Sequence, residues 1–129
     1  MVVSQGTALA AIGRRKEGVL QYLENEGEAI ELAINCARLM NADGMVNVQT
    51  RHNAEGKPLL LEINMRPSGG IGYTRHSGVN LPGLYAFHTL GLMDDDQVRQ
   101  SAKTDFSPAV VRSVTDVIPY PASLTNRID

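Results

Sequence analysis

The segment that most restricts what this chain can fold into is a pair of short runs, Met45–Thr50 and Leu59–Met65, in which apolar and polar residues alternate. Period-two alternation is the pattern of a strand with one covered face. Between the runs lies a polar stretch, His52–Pro58, punctuated by Gly56 and Pro58. Two alternating runs around such a tip predict an antiparallel hairpin. Within it Glu62, Asn64 and Arg66 point one way, and Leu61, Ile63 and Met65 the other. On the first run Asn47, Gln49 and Arg51 share a face opposite Val46 and Val48. A four-residue tip, Ala54–Lys57, places Gln49 opposite Glu62 and Asn47 opposite Asn64. The expected ribbon has amides, a carboxylate and a guanidinium on one face and a uniformly apolar opposite face.

Around this hairpin the chain mixes strands and helices. Val2–Val3 and Thr7–Ile12 flank Gln5-Gly6, a tight turn in which Gly6 takes positive φ. Which segment borders the first strand on its other side is left open. Gly27–Asn41 changes to helical spacing: Ile30, Ala33, Ile34, Ala37 and Met40 form a stripe that Leu32, Cys36 and Leu39 widen. Such a helix is expected to be buried over more than half its circumference. Asn41–Gly44 supplies the stop. Asn80-Leu81-Pro82 opens another helix, Asp94–Asp96 starts a short third, and Pro108–Ile118 reads as a last strand. The expected class is α+β, an antiparallel sheet of about four or five strands with helices packed on one side. Residues 1–118 form one domain and 119–129 a tail.

With 129 residues there is room for one domain with a core but not for two. Twelve basic against fourteen acidic residues give a net charge of −2, which attracts neither nucleic acid nor an anionic membrane. Any phosphate site must then be built locally. The lone Cys36 fits a reducing compartment, and no segment approaches the roughly 20 apolar residues of a membrane span. A cytoplasmic location is expected.

The polar hairpin face is chemically suggestive. Asn is a poor strand former, so Asn47 and Asn64 call for a reason beyond β propensity. Cross-strand neighbours lie about 4.5–5.5 Å apart at Cβ, close enough for their oxygens to converge on one ion. One carboxylate and amide oxygens suit a hard cation such as Mg²⁺ whose remaining positions are filled by water or polyphosphate. Arg66, followed at once by Pro67-Ser68-Gly69-Gly70, can balance phosphoryl charge.

The run from Gly44 to Gly70 resembles the carboxy-terminal metal-binding hairpin of ATP-grasp enzymes, among them carbamoyl-phosphate synthase large subunits, biotin carboxylases and D-alanine–D-alanine ligases. The family pattern Glu-x-Asn-x-Arg is matched by Glu62, Asn64 and Arg66, and the partner-strand ligand by Gln49. The strand ending Gly13–Lys16, the helix before Gly44 and Gly78–Pro82 extend the similarity over roughly residues 2 to 92, closest to carbamoyl-phosphate synthase. The resemblance implies the carboxy-terminal half of the ATP-grasp fold and a ligase using ATP and Mg²⁺, with Mn²⁺ as a substitute. It implies metal ligands Gln49, Glu62 and Asn64, a catalytic Arg66, and Asn47, Arg66, Ser68, Gly69 and Gly70 bordering the nucleotide phosphates. A small carboxylate would be phosphorylated, and an amine or similar nucleophile would then attack the acyl phosphate.

Two positions depart from the pattern: Met65 stands where many members have Pro or Thr, and Gln49 is a neutral ligand. The family's amino-terminal lobe, with its ATP-binding Lys and glycine-rich loop, has no match here, and Arg14–Lys16 are too few and wrongly placed to replace it. The resemblance therefore implies half an active site, inactive alone, that works with the missing lobe or another chain. A sheet edge near residues 2 to 12 leaves room for pairing, including with a second copy as a homo-oligomer. A non-catalytic α/β module for assembly or weak nucleotide binding is the alternative.

Other chemistry-bearing residues carry less. His52 at the hairpin and His88 on a helix face suit surface or packing roles, whereas Arg75 and His76 lie where they could line an acceptor pocket. Asp94–Asp96 fit a helix start better than a calcium loop, and Cys36 fits inert core.

Overall fold

The computed structural model describes residues 1–112. Strands β1 (Val2–Ser4) and β2 (Thr7–Ala10) form the expected hairpin, with Gln5 at φ 45° and Gly6 at φ 77°. Two consecutive positive-φ residues match the twist of the flanking strands. The other neighbour of β1 is β5 (Gly44–Met45), which pairs Val2 with Met45 and Val3 with Gly44. So β1 is a central strand, and the sheet edge expected within residues 2 to 12 is β2.

Both faces of β1 are covered, because Val2 and Val3 alternate and both are fully buried. Val2 packs with Leu9, Met45, Leu81, Leu84 and Val98, which brings in α2 (Leu81–Thr89) and α3 (Asp95–Thr104). Val3 packs on the other side with Ala37, Ala42 and Val46, under α1 (Glu28–Leu39). The α+β class and the antiparallel pairing hold. The strands divide among three small sheets, ordered β2-β1-β5, β3-β4-β8 and β6-β7, with helices on both faces of the first.

The second sheet contains β3 (Gly13–Glu17), β4 (Leu20–Glu24) and β8 (Ala109–Arg112). Gly18, at φ 57°, turns β3 into β4, which lies antiparallel to both neighbours. Of the expected strand Pro108–Ile118, the part beyond residue 112 lies outside the described residues, as do the domain boundary at 118 and the tail.

Helix α1 departs from expectation in its burial. Only Ile30 and Ala37 are buried; Leu32, Ala33, Ile34 and Cys36 are half-buried, and Leu39 and Met40 are exposed. Its last turn runs past the strands it covers and ends at Asn41, φ 47°, where Ala42 N–H donates to Ala37 O at 2.9 Å. Helices α2 and α3 begin as their sequences direct. Asn80 accepts from Gly83 N at 3.1 Å, and Asp94 accepts from Gln97 N at 2.8 Å while Gln97 reaches back to Asp94 N at 2.9 Å.

Candidate functional site

Strands β6 (Asn47–His52) and β7 (Pro58–Asn64) form the hairpin in the register expected at its base, with Asn47 opposite Asn64 and Gln49 opposite Glu62. Near the tip the pairing shifts: Thr50 faces Leu60 and His52 faces Pro58, so a bulge falls between Glu62 and Leu60. The tip is five residues rather than four. Asn53 Oδ1 accepts from Glu55 N at 3.1 Å and Lys57 N at 2.8 Å, and Asn53 N–H donates to Lys57 O at 2.9 Å. This Asx turn absorbs one residue more than a two-strand count allows, and the bulge returns the register to the one that matters at the base.

On the polar face three side chains gather. Gln49 Nε2 donates to Glu62 Oε1 at 2.6 Å, and Asn64 Nδ2 donates to the same oxygen at 2.5 Å. Period-two geometry explains the convergence, since Gln49 is the direct cross-strand partner of Glu62 and Asn64 is two residues along. The donor set is one carboxylate with two amides, each of which presents an oxygen when turned about its last bond. Among the described residues no three His, Cys, Asp or Glu side chains form a metal-sized cluster. The set fits a hard cation that takes few protein ligands, in the manner of Mg²⁺, rather than zinc or a calcium cage.

The opposite hairpin face is apolar in composition but only half covered. Val46 is buried and Val48 and Ile63 pack against it, whereas Leu61 and Met65 are 64% and 54% exposed. Helix α1 lies over the base of the ribbon, and beyond it the apolar side chains meet solvent.

A cleft of about 880 Å³ runs beside the hairpin. Asn47, Gln49, Arg51 and His52 line it together with Gly13–Lys16 and Arg66–Gly70. Asn47, Arg66, Ser68, Gly69 and Gly70 are thus brought to one cavity. Glu62 and Asn64 are not among its lining residues, so the carboxylate stands at the rim, linked to the cleft through Gln49. Arg66 is exposed and its Nη1 donates to Pro67 O at 3.1 Å. After the glycines a 3₁₀ helix, Ile71–Ser77, carries Ile71 and Thr74 into the cleft, while Arg75 and His76 are exposed and are not lining residues. His88 sits between helices, 2.7 Å from Asp95 Oδ1. Asp94–Asp96 start α3, and Cys36 is half-buried on α1.

One lining residue was not singled out from sequence. Arg14 is placed against the glycine loop, donating from Nη1 to Gln21 Oε1 at 2.6 Å. Gln21 is 2% exposed, and a Gln on the buried side of a strand otherwise reading Leu20, Tyr22, Leu23 was the available signal. Its neighbour Arg15 is spoken for by Glu17 and by Glu24 at 3.4 Å, and it lies over the Tyr22 ring at 4.3 Å.

Residues 1–117 match the model of a family described as ATP-grasp in the biosynthetic pathway with Ter operon. No curated protein and no solved structure matches the chain.

Proposed function

The chain belongs to the ATP-grasp family, whose members act as ATP-dependent ligases, and on that premise we propose that it supplies the metal- and phosphoryl-facing part of a carboxylate ligase site. The observation that carries this reading is the convergence of Gln49 and Asn64 on one oxygen of Glu62 beside a cleft lined by Gln49 and Arg66–Gly70. Glu62, Gln49 and Asn64 would hold Mg²⁺, with Mn²⁺ as a substitute, and the cation when bound supplies charge neutralisation to the phosphate oxygens of ATP. Asn47, Ser68, Gly69 and Gly70 border the phosphates. Arg66 stabilises the charge that develops on the phosphoryl group as it passes to a small carboxylate, and an amine or similar nucleophile then displaces phosphate. A closer kinship to carbamoyl-phosphate synthase and a cytoplasmic setting are part of the same reading.

The described residues offer no counterpart to the family's adenine-contacting lobe, so the proposal includes a second lobe, from the same or another polypeptide. Coupled ATP hydrolysis tests it, with the 129-residue chain alone and with an ATP-grasp amino-terminal lobe supplied in trans. Negligible turnover alone, turnover on complementation and its loss in Glu62→Ala are expected. Robust turnover by the chain alone would refute the division of the site, and complemented turnover insensitive to Glu62→Ala would refute the metal assignment. The exposed Leu59–Leu61 and Met65 favour, as a second reading, a module for assembly with another chain, including a second copy. Nucleotide-independent self-association without complemented turnover would select it.

A further inference from the structure

Arg14 is an exposed side chain that lines the cleft and is tied to its wall by one hydrogen bond to Gln21. On β3 it pairs with Leu23, and Lys16 pairs with Gln21, so Arg14 and Gln21 lie on one face of the β3–β4 ribbon. Gln21 is buried, and its Oε1 takes one N–H of the guanidinium at 2.6 Å. The guanidinium then lies over Gly70. A Cβ built there would sit 2.5 Å from Arg14 Cζ and 2.8 Å from both Nε and Nη2, so a side chain at this position would push the guanidinium aside. Gly70 has φ −98°, a conformation open to any residue, so a side chain there would act by displacing the flexible guanidinium. The Tyr73 ring lies 6.0 Å from Cζ.

A guanidinium has five N–H donors in a fixed fork. Among the described residues Arg14 uses one hydrogen bond, to Gln21, and has no carboxylate partner, in contrast to Arg15 beside it. The built Gly70 Cβ is nearest Cζ, so the loop packs on the face of the guanidinium, and Arg14 lines the cleft together with Arg66 and Ser68–Gly70. The Ser68–Gly70 stretch is therefore bracketed by two cations, one reached through β7 and the other through β3.

We propose that Arg14 is a second oxyanion anchor of this site: the guanidinium N–H groups not taken by Gln21 receive oxygens of a carboxylate or phosphate seated beside Ser68–Gly70, and Gln21 is the residue that positions it. The identity of the anion as ligase substrate or nucleotide phosphate rests on the function proposed above; the anchor itself does not. The two guanidiniums then suit a ligand with separate negative groups, a phosphoryl group at Arg66 and a second oxyanion at Arg14.

The test follows the Nε–Hε signal of Arg14 in the ¹⁵N-labelled 129-residue chain as sodium phosphate or sodium acetate is added, at constant ionic strength against sodium chloride. A saturable shift with phosphate assigns the anchor to a phosphate group, and one with acetate assigns it to a carboxylate substrate. Arg14→Gln is expected to weaken the responding anion about tenfold or more, as loss of a charged hydrogen-bond donor does. Gly70→Ala leaves every charge in place and displaces the flexible guanidinium, so it should weaken binding comparably and add little in the Arg14→Gln background. Gln21→Met should broaden or move the Arg14 signal and lower affinity while the thermal midpoint stays within a few degrees. A response no greater than that to chloride, or Gly70→Ala binding as tightly as the parent, would overturn the proposal. Anion binding at Arg14 without complemented ATP turnover would sink the ligase reading and leave the anchor standing; turnover with Arg14 silent would do the reverse.

Discussion

Gly78 and Gly91 form a matched pair for asking how tightly the wall beneath the glycine loop is packed. Both have positive φ, 89° and 70°, so alanine carries a comparable left-handed penalty at each, about 1 kcal/mol. They differ in space. A Cβ at Gly91 meets nothing within 4 Å, whereas at Gly78 it would lie 2.1 Å from the backbone oxygen of Asp105, the residue that ends α3. Bringing that contact to an ordinary carbon–oxygen separation requires a backbone shift of roughly 1 Å, of the kind that overpacking forces in a core. The shift would strain the bond from Ser107 N to Ser77 O, 2.7 Å, worth about 1 kcal/mol net. Adding about 1–3 kcal/mol for repacking gives a total near 4 kcal/mol for Gly78→Ala against about 1 for Gly91→Ala. At about 4 °C per kcal/mol for a chain of this size, the midpoints should fall by about 15 °C and about 4 °C. Urea and thermal unfolding followed by circular dichroism measure both. Equal losses, within about 0.5 kcal/mol, would mean that the close approach of α3 to the 3₁₀ helix does not exist and that the wall behind Thr74 is looser than described.

Two further outcomes follow from single contacts. Burial lowers the Met1 amine from 8.0 to about 6, where it donates to Val46 O at 2.8 Å. The unfolded chain then holds a proton that the folded chain lacks between those values, so stability should rise from pH 6 to pH 8 by about 2 kcal/mol. Urea midpoints across that range would show it, and a flat profile would refute it. At the start of α3, Asp94→Ala removes the acceptor of Gln97 N–H and should cost about 1 kcal/mol, with faster amide exchange in that first turn; Asp94→Asn should retain most of it. No change in the Ala variant would mean that the capping box contributes nothing in solution.

The features legible in the sequence are those set by neighbours a few residues apart. Alternation and turn chemistry placed Gln49 against Glu62 and Asn47 against Asn64, because a one-residue slip would exchange the two hairpin faces. The same locality explains the β1–β2 turn and the starts of α2 and α3, where each capping side chain reaches a backbone N–H three residues on. It also explains the one local error. Asn53 can bond its own loop as readily as continue a strand, and that competition lengthened the tip and required the bulge.

What only the tertiary structure decided are contacts between segments remote in sequence, where no local period carries information. Nothing near Val2 specifies that Gly44–Met45 will pair with it, and nothing near Leu61 or Leu39 specifies that their apolar surfaces will stay exposed. Arg14 is the sharpest instance. From its neighbours it is a base on a charged strand; in the fold it stays exposed, but its guanidinium is tied to buried Gln21 beside Gly70. The hairpin's alternation by itself determined the cluster of Gln49, Glu62 and Asn64, since strand geometry acts over adjacent residues. The cleft beside it, and the second cation that lines it, were decided by how three small sheets and their helices pack, because close packing is a property of surfaces that meet only after the chain has folded.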